Sequence, residues 1–148
     1  MVMGVKQFEK LFRLAAGLDI DKSDLRRLDD FINEKLHDLL LMAQRIAKMN
    51  GRDVITEADV PLTKGLQESI HAFRDMDEQL SVKEILEHLT KLPPLDLAIG
   101  EDVENMLPDL AGGMTVSLAK VFKVLDPDMK NPQTEHWERV EEIYRILV

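Results

Sequence analysis

Apolar residues recur at three- and four-residue steps through most of the chain, and no segment sustains the strict alternation of a half-buried strand. Val5, Phe8, Leu11, Phe12 and Ala15 form the first such stripe, which predicts a helix of about three turns stopped by Gly17. After the polar stretch LDIDKSD, with Ser23 as candidate N-cap, Leu25, Leu28, Ile32, Leu36, Leu39, Ala43 and Ile46 run unbroken to Asn50-Gly51. That set predicts a helix of about 28 residues, some 42 Å long at 1.5 Å per residue, too long for a small globule to hide end to end. The β-branched segment RDVIT reads as a short extended connection, and Thr56 as the cap of a third helix carrying Leu62, Leu66, Ile70, Phe73 and Met76. Pro61 lies in its first turns, where its missing N–H matters little or the helix starts late.

The second half repeats this order. Ser81 caps a short helix through Val82, Ile85, Leu86 and Leu89, which Pro93-Pro94 ends. A long apolar stretch from Leu95 to Leu125 follows, and its Pro108 and Gly112-Gly113 predict a kinked or broken helix. The glycines are expected to let the two long helices approach closely where they cross, or to let one bend. DPDMKNPQT is a loop, and Thr134, Trp137, Val140, Ile143, Tyr144 and Leu147 mark a final helix, with Trp137 and Tyr144 closing the core of the second half. Met42, Met49, Met76, Met106 and Met114 fall at or beside apolar positions and are expected to fill core gaps.

Composition narrows the classes of activity. The chain has 148 residues, 45% hydrophobic and 32% charged, enough apolar material for one core and no signature of disorder. Its 19 basic against 28 acidic residues give a net charge of -9, a poor start for a general nucleic-acid coat. Residues 1–80 carry 12 basic and 15 acidic groups and residues 81–148 carry 7 and 13, so neither half is a basic module. Cysteine is absent, which removes disulfides, thiolate zinc sites and cysteine nucleophiles. No apolar run reaches membrane length and the start lacks a signal-peptide core, so a soluble, cytoplasmic protein is expected. The lack of cysteine and the many ion-pair formers also suit a thermostable protein.

A short, a long and a short helix in sequence is the histone-fold order, and one such unit leaves its long helix's apolar stripe uncovered. Asn50-Gly51-Arg52-Asp53-Val54-Ile55-Thr56-Glu57-Ala58-Asp59-Val60-Pro61-Leu62 resembles the second loop and third-helix start of archaeal histones. The whole chain also resembles a bacterial family of unknown function described as two histone folds in tandem. The resemblance implies an all-α fold in which units 1–80 and 81–148 pair within one chain as a pseudo-dimer, otherwise monomeric or weakly self-associating. It implies an ion pair between Arg52 and Asp59, a guanidinium suiting a carboxylate through two parallel hydrogen bonds. By analogy with the first helix and first loop of histones, Lys10, Arg13, Lys22, Arg26 and Arg27 form the candidate DNA patch, diluted by Asp19, Asp21, Asp24, Asp29 and Asp30. A solvated, salt-bridged surface is the ordinary account of such mixed charge. The chain departs from the histone pattern at Asp53 and Val54, which stand where a phosphate-facing Lys and a Thr are usual, and the second half lacks the Arg-to-Asp spacing.

Glu34-x-x-His37 and Glu68-x-x-His71 match the step used by di-metal carboxylate bundles. At about 100° per residue both pairs lie roughly opposite the apolar stripe, away from where a bundle metal sits. His88 and His136, each beside glutamates, read as surface helix residues, and Ala111-Gly112-Gly113-Met114 lacks the Lys-Ser/Thr of a phosphate loop. No catalytic residue, metal or cofactor is therefore assigned. The reading is a non-enzymatic structural or protein-interaction module, its partner another protein or, weakly, nucleoid DNA. A DNA-bending histone analogue and a di-metal carboxylate protein are the competing readings.

Overall fold

The computed structural model describes residues 5–80 and 93–148; the short helix expected from Ser81 lies outside them. In chain order the elements are α1 (Val5–Ala16), α2 (Lys22–Met49), β1 (Val54–Ile55), a 3-10 turn (Glu57–Asp59), α3 (Lys64–Leu80), β2 (Ala98–Ile99), α4 (Glu101–Leu125) and α5 (Thr134–Leu147). The protein is thus mostly helical, with strand confined to two residue pairs among the described residues.

Asp21, rather than Ser23, starts α2. Its carboxylate accepts from the backbone N–H of Ser23 at 2.9 Å and of Asp24 at 3.0 Å, while its own N–H donates to Asp24 Oδ2 at 3.0 Å. The Ser23 hydroxyl donates to the same Asp21 carboxylate at 2.6 Å, and that bond leads the causes that lower its pKa. Two capping residues stand two positions apart, and the charged acceptor takes the place. At the other end Gly51 adopts φ 72°, the left-handed turn that releases the chain from α2.

Thr56 caps only the 3-10 turn, and α3 begins at Lys64. Val60, held extended at φ -78° and ψ 115° before Pro61, prevents the turn from continuing into the helix. Thr63 then opens α3, its hydroxyl accepting from Leu66 N–H at 3.1 Å and its carbonyl from Gln67 N–H at 3.0 Å.

Of the kink or break expected in the second long helix, the break does not occur: α4 runs from Glu101 to Leu125 through Pro108 and both glycines. Every residue from Pro108 to Val116 is buried, so packing on all sides holds the helix where local propensity is weakest. The glycines face α3, not the crossing with α2. A Cβ on Gly112 would collide with the Phe73 ring, and one on Gly113 would stand 2.5 Å from Ile70 Cγ1 and 3.0 Å from its backbone nitrogen. Without side chains there, α3 lies directly on α4, and this is the most extensive contact between two helices of the described residues.

Two loop contacts flank the helices. β1, which follows α2, pairs in parallel with β2, which precedes α4, matching Val54 with Ala98 and Ile55 with Ile99. In the other, Asp19, which precedes α2, donates its N–H to the carbonyl of Lys130, which follows α4, at 2.7 Å.

One apolar cluster fills the interior: Phe8, Leu11 and Phe12 from α1, Leu36 and Leu40 from α2, Phe73 from α3, Leu110, Met114 and Phe122 from α4, and Trp137 from α5. Trp137 packs edge-on to Phe122 at 4.8 Å and also meets Phe12 at 6.4 Å, so it closes the interior between α1 and α4 rather than the second half alone. Of the five methionines expected inside, Met114 is buried and Met76 and Met106 are partly so, but Met42 and Met49 are 50% and 74% exposed. At about 100° per residue both lie well round the helix from the face of α2 that carries Leu36, Leu40, Ala43 and Ala47.

Candidate functional site

The residues of the candidate DNA patch divide into two groups. Lys10, on α1, and Lys22 and Arg26, on the first turns of α2, are exposed and form no ion pair among the described residues. Arg13 is exposed and pairs with Asp19 at 3.2 Å across the turn between the helices. Arg27 turns the other way: its Nε donates at 2.8 Å to Glu141 of α5, whose side chain is only 10% exposed. Arg27 therefore fastens two helices, a role no local pattern signals because its partner lies 114 positions away.

Arg52 and Asp59 meet at the start of the 3-10 turn. Arg52 Nε donates to Asp59 Oδ2 at 3.2 Å and Nη2 to Oδ1, while the N–H and hydroxyl of Thr56 reach Oδ2 at 2.9 and 3.0 Å. Asp59 is fully buried, and these donors, Arg52 foremost, hold its carboxyl at a pKa of about 2. The neighbouring loop is tied down in the same way: Lys48 pairs with Asp96 at 2.8 Å, and Asp102 accepts from Glu57 N–H at 2.9 Å. This end of the molecule carries Asp53, Glu57, Asp96, Glu101 and Asp102 against Lys48 and Arg52, a surplus of acid.

The two Glu-x-x-His pairs lie on different helices. Glu34 accepts two bonds from Arg145 of α5, at 3.0 and 3.1 Å, which lower its pKa. Glu68 and His71 are exposed on α3, beside Lys64 at 3.7 Å and Asp75 at 3.8 Å respectively. Among the described residues no three His, Cys, Asp or Glu side chains come close enough to hold a metal ion. His136 is half-buried and caps α5, its Nδ1 accepting from Gln133 N–H at 2.9 Å; His88 lies outside the described residues.

Sequence reasoning missed the polar seam along α5. Trp137 Nε1 donates to Asp24 at 2.8 Å, and Tyr144 sets its ring edge-on to Phe31 at 5.7 Å. Arg145 lies 5.1 Å over the Phe31 ring while it holds Glu34. Two buried polar residues in apolar runs were the legible hint of other ties. Gln44 accepts from Leu97 N–H at 3.0 Å just before β2, and Asp109 receives Arg74 at 2.9 and 3.0 Å.

These features define an all-α protein whose polar ties run between its first and second halves. The chain belongs to the family described as "Domain of unknown function (DUF1931)", whose model matches residues 8–145. It is 31% identical over 141 residues to an uncharacterized protein of Aquifex aeolicus, covering 93% of this chain and 82% of that one. Its structure is similar to a crystal structure from Thermus thermophilus, with TM-score 0.88, 56% identity and both chains fully covered. It is also similar to that of protein AQ328 from Aquifex aeolicus, with TM-score 0.86, 27% identity and coverage of 100% of this chain and 99% of that one. No helix of the described residues is long and apolar enough to cross a membrane.

Proposed function

We propose that the chain is two histone-fold units, residues 1–80 and 81–148, paired within one polypeptide, and that it serves as a non-enzymatic structural and protein-interaction module. The observation that carries this reading is the reciprocity of the loops. The segment after α2 pairs with the segment before α4 through β1 and β2, and the segment before α2 bonds the segment after α4 through Asp19 and Lys130. Two short-long-short units related by an approximate two-fold axis make this pair of contacts. Covalent linkage gives each unit a high effective concentration of the other, so folding does not wait for a second chain.

DNA contact, on this reading, is weak and confined to Lys10, Arg13, Lys22 and Arg26. The loop pair around Arg52, which in a DNA-binding histone presents cations, is acidic here, and both Lys48 and Arg52 are held by carboxylates. A continuous path for bent DNA needs cations at both ends, which favours the module over the DNA-bending analogue.

Gel retardation of a short duplex at low and at physiological salt tests this. The proposal expects faint retardation at low salt, abolished by Lys10→Glu with Lys22→Glu and lost at about 150 mM salt. Tight retardation that survives that salt would replace it with the DNA-bending reading.

A further inference from the structure

Asn50 stands directly before Gly51, the pairing in which an asparagine is most labile, because glycine has no side chain to shield its amide nitrogen from reaction. In that reaction the Gly51 nitrogen gives up its proton and bonds Asn50 Cγ, the Cγ–Nδ2 bond breaks, and ammonia leaves. Water then opens the five-membered imide at either carbonyl, which leaves aspartate or isoaspartate at position 50. Asn50 is exposed, so water and base reach it without a cofactor or oxidant.

The end of α2 opposes each part of this step. Ring closure needs Cβ and the Gly51 nitrogen on the same side of the Cα–C bond of Asn50. At φ -100° and ψ 14° that side is taken by the residue's own nitrogen, and Cβ is turned well away. The side chain is also held back along the helix, since Asn50 Nδ2 donates to the Ile46 carbonyl at 2.8 Å. The Gly51 N–H is engaged as well, donating to the Lys48 carbonyl at 3.1 Å.

Arg52 closes the turn from the far side. Its N–H donates to the Ala47 carbonyl at 2.9 Å, a capping bond that the left-handed Gly51 permits. Its guanidinium is fastened to the fully buried Asp59. The Asn50-Gly51 bond is therefore clamped by α2 before it and by the Arg52–Asp59 pair after it.

We propose that Asn50 is a deamidation site held closed by the cap of α2, and that the Arg52–Asp59 pair sets how often it opens. Cyclisation needs both donors released and the Asn50 backbone rotated, so it runs through local opening of the last turn, not through global unfolding. Loss of ammonia makes it one-way. The product carboxylate cannot donate to the Ile46 carbonyl and adds negative charge where the helix dipole is already negative, so the turn does not re-form as before.

The test follows the peptide that holds Asn50 by mass spectrometry in the full chain, kept at mildly alkaline pH either folded or in concentrated guanidinium. Parent, Arg52→Ala and Trp137→Phe are compared, the last losing global stability far from the turn. All three are expected to deamidate at one rate in guanidinium, and the folded parent at least about tenfold more slowly. Folded Arg52→Ala is expected to react at least about threefold faster than the folded parent, and folded Trp137→Phe at the parent's rate. Circular dichroism checks that the variants are folded; Arg52→Lys, which keeps the charge and loses the paired donors, stands in if Arg52→Ala is not. A folded parent that reacts as fast as the unfolded chain, equal acceleration by both variants, or a folded arginine variant matching the parent would each overturn the proposal.

Discussion

Trp137 and Asp24 stand 113 positions apart and are joined by a 2.8 Å hydrogen bond from the indole Nε1 to Oδ1. The other oxygen of Asp24 accepts the N–H of Asp21 and so completes the cap of α2. One carboxylate therefore finishes a helix of the first half and anchors a helix of the second. Trp137→Phe keeps most of the ring and removes the donor, and is expected to cost about 1 to 2 kcal/mol in denaturant melts. Trp137→Ala adds a cavity between Phe12 and Phe122, with an expected cost of about 3 to 5 kcal/mol.

The approach of α3 to α4 predicts an ordering among glycine variants. Gly113→Ala meets the backbone of Ile70, which has little room to give, and should cost about 1 to 3 kcal/mol or more. Gly112→Ala drives a Cβ into the ring of Phe73, which is itself fully buried, and should cost a comparable amount. Gly65→Ala meets nothing within 4 Å and should be neutral or stabilising by less than about 1 kcal/mol. Thermal melts of the three variants check the order; a harmless Gly113→Ala contradicts the close packing.

The buried face of α2 makes a paired prediction. Leu40 is fully buried and Leu41, the next residue, is 41% exposed. Leu40→Ala should cost about 2 to 5 kcal/mol through cavity formation, and Leu41→Ala about 0.5 kcal/mol or less. Equal costs would mean that the face is misassigned.

Asp59 fixes the direction of the acid response. It ionises at about 2 in the folded chain against 3.8 as a free side chain, so its stabilisation is fully present above the latter value. As pH falls the unfolded chain takes up the proton first, and stability drains between about pH 5 and 2. Burial acts oppositely on Asp24, whose pKa it raises, so that residue contributes a trend of opposite sign above its ordinary value. Urea midpoints of the parent and of Asp59→Asn at neutral and acid pH check this: the variant should be weaker at neutral pH and lose less on acidification.

Much of the architecture was legible because helix periodicity is a local signal. Leu25 to Ile46 marked α2 nearly to its ends, and the β-branched pair at Val54-Ile55 marked β1. The misses share a physical origin in distant partners. Pro108 and Gly112-Gly113 suggested a kinked or broken helix, and only the burial of every residue from Pro108 to Val116 shows why it stays unbroken. Arg27 looked like the other cations of its stretch, and Glu141 decides where it points.

If the two halves are units that complete each other, neither folds without its counterpart, and separating them is the decisive experiment. Residues 1–80 and 81–148 are prepared apart and followed by circular dichroism, alone and after mixing. Little helix and no cooperative melt are expected for either piece, with both recovered on mixing. A cooperative, concentration-independent melt of residues 1–80 alone would contradict the pairing.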